Sequence, residues 1–313
     1  MRTPSERIRT LPWRVEGACP CCSGKLLRDC CLTPSGDLRK RYGSVRPSGD
    51  QTGRAHTGCY LSPTKNCCST LSAEHYISRN ALEEFGSRIS VSGFPWSGSD
   101  PKLISVASLT SKILCKRHNN ALSALDTEGG HFFRSLRPIE RDLNRRSLSR
   151  KPCFYFVSGE AVELWMLKTL AGMYYARAAS SQGSILAENS SFAVNLLVQA
   201  LQGLTWERGC GLYIRAITNE SAPAENAIGF APLTNPSDGR VVGCLMRLVG
   251  LEFMTILDPA GANFEQIVRS YVFRPTNLVF ENETRAHVVV LTWGAGTNPF
   301  KVTIAWNRLR RNQ

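Results

Sequence analysis

The chain has 313 residues, 42% hydrophobic and 20% charged, a globular composition that argues against a disordered protein and allows one large domain or two of ordinary size. No window approaches the roughly 18 to 20 apolar residues of a membrane-spanning helix, and "MRTPSERIRTLPWRVEG" has no apolar signal core. No membrane association and a cytoplasmic location are therefore expected. The net charge of +13 is uneven: residues 1–152 carry 25 Lys+Arg against 13 Asp+Glu, and residues 153–313 carry 13 against 12.

A net of +12 confined to one half predicts a polyanionic partner, because each Lys or Arg near a phosphate releases a condensed counterion. A solvated basic face that aids solubility is the competing explanation. The cysteines follow the same partition. Nine of twelve lie between Cys19 and Cys115, together with His56, His75 and His118. Without a secretory signal, such clustering reads as metal ligation rather than as a disulfide framework. Cys153, Cys210 and Cys244 stand alone in apolar contexts and read as core residues.

In chain order, residues 1–35 hold the first cluster, "CPCCSGKLLRDCC". Cys19 and Cys21, then Cys30 and Cys31, bring two close thiolate pairs to a tight turn set by Pro20, Ser23 and Gly24. That suits a closed tetrahedral Zn²⁺ site whose binding supplies the folding energy. The segment resembles the SEC-C motif, with Cys22 standing where that family has glycine. The resemblance implies an accessory module that binds a protein partner. Residues 36–58, rich in Gly, Ser, Pro and Arg, read as a flexible basic linker.

Residues 59–140 form the second Cys/His region. Cys59, Cys68 (or Cys67), Cys115 and His118 assemble as a second zinc site, with "EHYISRNALEEF" between the halves and "ILCKRHNNALSALD" closing the unit. This order resembles the HNH (ββα-metal) nucleases over about 59–136. The resemblance implies a β-hairpin stapled to a helix by zinc, with His75 as general base for phosphodiester hydrolysis. It also implies that Asn119 is a catalytic residue and a ligand of Mg²⁺ or Mn²⁺. The motif departs from the family where His118 replaces a cysteine, where Asn119 and Asn120 replace the last histidine, and in the long stretch from Ser87 to Ser111. Helical spacing puts Asn119, Ser123 and Asp126 on one face, making Asp126 a second candidate ligand of a hard cation. Glu74 reads as solvent-facing or as a partner of the site, and His131 as a loop or surface residue. His56 lies close enough to Cys59 to be weighed as a substitute ligand.

Residues 141–152 form a basic connector, and 153–313 an α+β unit. Val162, Trp165, Met166, Leu170, Met173 and Tyr174 fall at the spacing of an amphipathic helix. "SSFAVNLLVQALQGL" predicts a second, capped by Ser190 or Ser191 and ending near Gly203. "GLYIRAI", "GRVVGCLMRLVGLEFMTIL", "RAHVVVLTW" and "KVTIAW" read as strands of a mainly antiparallel sheet. His287, Asp258 and Glu265 read as structural. The whole is α+β: a small zinc module, an HNH-like zinc-stapled domain, and a C-terminal domain. Three functions compete. They are a metal-dependent endonuclease, an inactive zinc-stapled module binding DNA, RNA or protein, and a C-terminal domain that binds a protein or small molecule with the zinc units as tethers.

Overall fold

The second Cys/His region folds as a strand pair feeding a long helix. The computed structural model describes residues 13–21, 23–97, 100–143, 154–181, 183–202, 206–217, 228–262, 269–282, 285–294 and 298–305. Cys22, Cys153, Gly203, Glu265 and most of the basic connector lie outside them.

A one-turn helix α1 (Leu27–Cys30) closes the first cluster. Then come β1 (Leu71–His75), α2 (Arg79–Leu82), β2 (Arg88–Val91), β3 (Lys102–Ser105), β4 (Thr110–Cys115) and α3 (Lys116–Leu143). β1 and β4 pair antiparallel from Leu71 opposite Cys115 to His75 opposite Thr110, with a bulge between Ser72 and Glu74. The Ser87–Ser111 stretch inserts its own hairpin, β2–β3. Helix α3 starts directly from β4 and runs 28 residues through Pro138. It packs against β1, β4, α2 and the elements that follow.

Those elements are β5 (Phe154–Ser158), α4 (Gly159–Tyr175), β6 (Ser180–Ser181), β7 (Ser184–Ile185), α5 (Leu186–Asn189) and α6 (Asn195–Gln202). The strands β8 (Gly211–Ala216), β9 (Gly229–Thr234), β10 (Val241–Leu248), β11 (Leu251–Ile256), β12 (Val272–Phe273), β13 (Pro275–Asn282), β14 (Arg285–Thr292) and β15 (Asn298–Ala305) complete the chain order. One sheet, ordered β12-β8-β11-β10-β9, is antiparallel throughout. β10 and β11 meet at Val249–Gly250, both at positive φ (48° and 71°), the backbone of a two-residue type I′ hairpin. The other sheet, β15-β13-β14-β5, is mixed, because β13–β15 and β14–β5 are parallel. The α+β class and mostly antiparallel pairing agree with the sequence; the parallel pairs were not anticipated.

Three local expectations need correction. Helix α4 is not amphipathic: every residue from Ala161 to Met173 is buried, because α3, α6 and both sheets enclose it. Its start is capped by the Ser158 hydroxyl, which accepts from the Ala161 amide. The next long helix begins at Asn195 rather than at Ser190 or Ser191, since Ser190 is extended. Residues 36–58 are a docked strap. Val45 lies in the core, Lys40 donates its amide to Thr292 Oγ1 at 2.8 Å and its Nζ to Glu128 at 2.6 Å, and Arg46 reaches the Gln202 carbonyl. Composition misled here because a few anchoring contacts, not an apolar period, hold the segment.

One hydrophobic core runs from Val45 through Leu122, Phe133 and Trp165 to Ile304, so the core is continuous across the expected boundary near residue 150. Gly129 and Gly130 let α3 sit between α4 and α2. A Cβ at Gly129 would lie 2.5 Å from Trp165 Nε1, and one at Gly130 would lie 2.6 Å from Asn80 Cβ. Gly129→Ala is therefore expected to cost about 1–3 kcal/mol by overpacking, read as a lower urea midpoint. An unchanged midpoint would show that the α3–α4 contact is looser than described.

Candidate metal centre

Two Cys/His clusters could hold metal ions. In the first, Cys19, Cys21, Cys30 and Cys31 offer sulfurs within 4.8 Å of one another, all four as expected from spacing. The turn is built by the Cys19 amide donating to Lys25 O and the Leu27 amide to Gly17 O. Gly24 takes positive φ at its bend. Cys21 Sγ lies 3.4 Å from Cys30 Sγ, and Cys31 Sγ 3.8 Å from Cys30 Sγ. Bonding from Cys31, with further help from Ser23, Cys19 and Cys30, lowers the Cys21 thiol to about 4 against the effect of burial. The cluster sits on the mixed sheet, packing Leu27 with Phe156 and Val290. Trp13 meets the Phe156 ring edge-on at 4.6 Å.

The second cluster is Cys59, Cys67, Cys115 and His118, all buried. Cys67 replaces Cys68, the first choice from the sequence. Cys68 Sγ instead accepts from the Arg117 amide at 3.4 Å and donates toward Thr70 O at 3.5 Å. His118 Nδ1 lies 3.4 Å from Cys59 Sγ, 3.7 Å from Cys67 Sγ and 3.3 Å from Cys115 Sγ. A tetrahedron with Zn–S near 2.3 Å and Zn–N near 2.0 Å has S···N edges of about 3.5 Å, so the donor set fits Zn²⁺.

The surroundings fix the histidine. Thr64 Oγ1 donates to Leu61 O at 2.8 Å, so its lone pair can accept from His118 Nε2–H at 3.0 Å. The proton then stays on Nε2, and the Nδ1 lone pair faces the sulfurs. Burial, with a smaller push from Arg117, lowers the His118 pKa to about 4, so the ring is neutral as ligation requires. Lys116 N to Thr70 O (2.8 Å) and Tyr60 N to Ile113 O (3.0 Å) tie the loops to the strand pair. His56 is outside the cluster, its Nδ1 accepting from the Gly58 amide. Arg54, Lys65, Lys112 and Lys116 flank the ligands in sequence and are exposed.

The other site residues lie along β1 and α3. Asn119 Nδ2 donates to Ser72 Oγ at 2.5 Å. His75 ends β1, beside the bulge; bulges often re-aim side chains next to active sites. Its Nε2 is buried and has no hydrogen-bond partner among the described residues. Burial, and next Arg79, lower its pKa, which favours the neutral ring.

Glu74 and Asp126 meet a group that sequence reasoning missed. Lys168, buried in α4, places Nζ 2.5 Å from Glu74 Oε1 and 2.5 and 2.6 Å from the two Asp126 carboxylate oxygens. Glu74 is therefore buried and not solvent-facing. Trp165 Nε1 donates to Ser78 Oγ at 2.6 Å, and Ser78 donates in turn to Asp126. Burial alone would lower the Lys168 pKa, but Asp126 and then Glu74 outweigh it and raise it. Burial, with a further push from Asp126, raises Glu74 to about 7 against the pull of Lys168. A lysine inside an apolar run was the available signal, since lysine is almost never fully buried unpaired.

This arrangement does not fit a divalent ion held by Asn119 and Asp126. The Asn119 amide is committed to Ser72, and Asp126 faces an ammonium and a hydroxyl. Other polar residues weighed in the sequence make local contacts. His287 pairs with Asp142 at 2.9 Å, both buried, and Asp258 accepts from the Ala260 and Gly261 amides. His131 is on α3, bonded to Phe156 O, and is not a loop residue. Cys210 and Cys244 are buried, as expected.

The chain finds no match among family models, curated proteins or solved structures. No helix among the described residues is long and apolar enough to cross a membrane. The class defined by fold and site is an α+β protein with two Cys/His clusters suited to zinc.

Proposed function

We propose that the protein is a zinc-stapled, HNH-like nucleic-acid-binding protein. The observation that carries this reading is the β1–β4–α3 unit, two strands and a helix with a zinc-suited cluster where they join. The +12 charge of residues 1–152 and the exposed lysines beside the ligands supply attraction for phosphates. The first cluster is read as a SEC-C-like accessory for a protein partner. The test is DNA and RNA binding by the zinc-loaded chain across a salt series. Neutralising about six phosphates predicts a loss of about 10³-fold between 50 and 200 mM salt. Binding that is absent, or indifferent to salt, would sink the reading.

A second reading, phosphodiester cleavage, is favoured by one observation: the buried, unpartnered Nε2 of a neutral His75. A buried polar atom without a partner costs about 1–3 kcal/mol and calls for an explanation. The HNH-like reading makes this imidazole the general base. His75→Ala is expected to lower cleavage of plasmid or RNA by about 10²–10⁴-fold with zinc content unchanged. Equal cleavage by the variant would remove His75 from the chemistry.

A further inference from the structure

The contact between α4 and the β1–α3 pair places a cation where two carboxylates converge beside His75. Lys168 Nζ is within 2.6 Å of three oxygens, one from Glu74 and two from Asp126. The Lys168 side chain is only 4% exposed, Glu74 5% and Asp126 20%. A divalent ion bound by these carboxylates would need oxygens at about 2.0–2.6 Å, which is the space the ammonium fills. Two cations so close would repel strongly in a site with little water to screen them.

Neither side of the contact is free to drift. Trp165, one helical turn before Lys168, packs on Gly129 of α3 and bonds Ser78, which holds Asp126 from the other side. Glu74 is in β1, next to His75. The cation is therefore delivered by the same rigid packing that joins the C-terminal elements to the strand pair.

We propose that Lys168 is the resident cation of this site, pairing with Glu74 and Asp126 in place of a divalent metal ion and closing the pair to one. The C-terminal half thus contributes to the site through α4, a role its sequence does not advertise. The proposal rests on the HNH-like reading only for the expectation that a divalent ion would otherwise bind here. It is tested by ion binding and not by cleavage, so the two can fail separately.

The experiment is Mn²⁺ binding to the full-length, zinc-loaded chain, followed by electron paramagnetic resonance. The wild type is expected to show no Mn²⁺ binding that Asp126→Asn removes. Lys168→Met is expected to gain a single Mn²⁺ per chain, at least about tenfold tighter than any wild-type binding. Lys168→Met/Asp126→Asn should lose it, with zinc content equal in all variants. Wild-type binding abolished by Asp126→Asn would overturn the proposal, and so would a folded Lys168→Met that gains no ion. Should Lys168→Met fail to fold, the wild type alone decides through its His75 ring resonances. Sharp signals in millimolar Mn²⁺ support the resident lysine, and selective paramagnetic broadening of His75 refutes it.

Discussion

Stripping zinc from the full-length chain is expected to unfold the β1–β4–α3 unit, seen as loss of helix signal and of the cooperative melt. Structural zinc contributes about 10–16 kcal/mol in small zinc-bound units, against a net stability of about 5–15 kcal/mol for whole domains. Here the ion would join three segments at one point, the 59–67 loop, the end of β4 and the start of α3, at the edge where the strand pair meets the helix. Elemental analysis should find about two zinc ions per chain, from the two clusters. Cys59→Ser, Cys67→Ser, Cys115→Ser and His118→Ala should each remove one. Cys68→Ser should remove none, because its sulfur caps the Arg117 amide and is not among the cluster donors. A Cys68→Ser protein that drops one zinc, or a Cys67→Ser protein that keeps both, would reverse the ligand assignment.

That pair of adjacent cysteines shows where the sequence stops informing. Spacing alone located Cys19, Cys21, Cys30 and Cys31, because two close thiol pairs around a glycine turn leave few other geometries. In the second cluster, successive residues of an extended chain point to opposite sides. Only the register set by Cys67 N bonding Arg54 O decides which sulfur meets His118. "GRVVGCLMRLVGLEFMTIL" was legible as strand, and the structure divides it into β10 and β11 at Val249–Gly250. The parallel neighbours of β13 and β14 were not, because β5 is about 130 residues away from β14 in the chain and its pairing is decided by the core.

Lys168 was the costliest omission. The helical period around Trp165 predicts an amphipathic helix and leaves Lys168 without a role, whereas the helix buries it. Helices buried all round have no polar face. A charge there needs a partner, and among the described residues Lys168 meets carboxylates on other elements. Glu74 and Asp126, separated in sequence by 52 positions, meet only through it. Asp126, expected as an ion ligand beside Asn119, instead meets a residue of the other half of the chain.

Removing that residue without replacing its charge is expected to have a large, pH-dependent effect. Lys168→Ala leaves two carboxylates in a buried pocket and is expected to destabilise the fold by about 3–5 kcal/mol. The pH dependence follows from Glu74. Its pKa in the folded chain is about 7, above the ordinary carboxyl value of 4.5, so the folded state binds its proton more tightly than the unfolded state does. Its effect on stability is most favourable below pH 4.5 and is lost progressively as pH rises through about 7. The groups acting on it are Lys168, which lowers its pKa, and Asp126, which raises it. Without Lys168 the proton is held more tightly still, so the penalty in Lys168→Ala should be largest at pH 8 and smallest near pH 5. Glu74→Gln in the same chain should recover much of the loss at pH 8 and little at pH 5. Urea midpoints of wild type, Lys168→Ala and Lys168→Ala/Glu74→Gln at both pH values make the comparison. A penalty equal at pH 5 and pH 8 would mean that Lys168 matters for its packing and not for the charge it brings to the carboxylates.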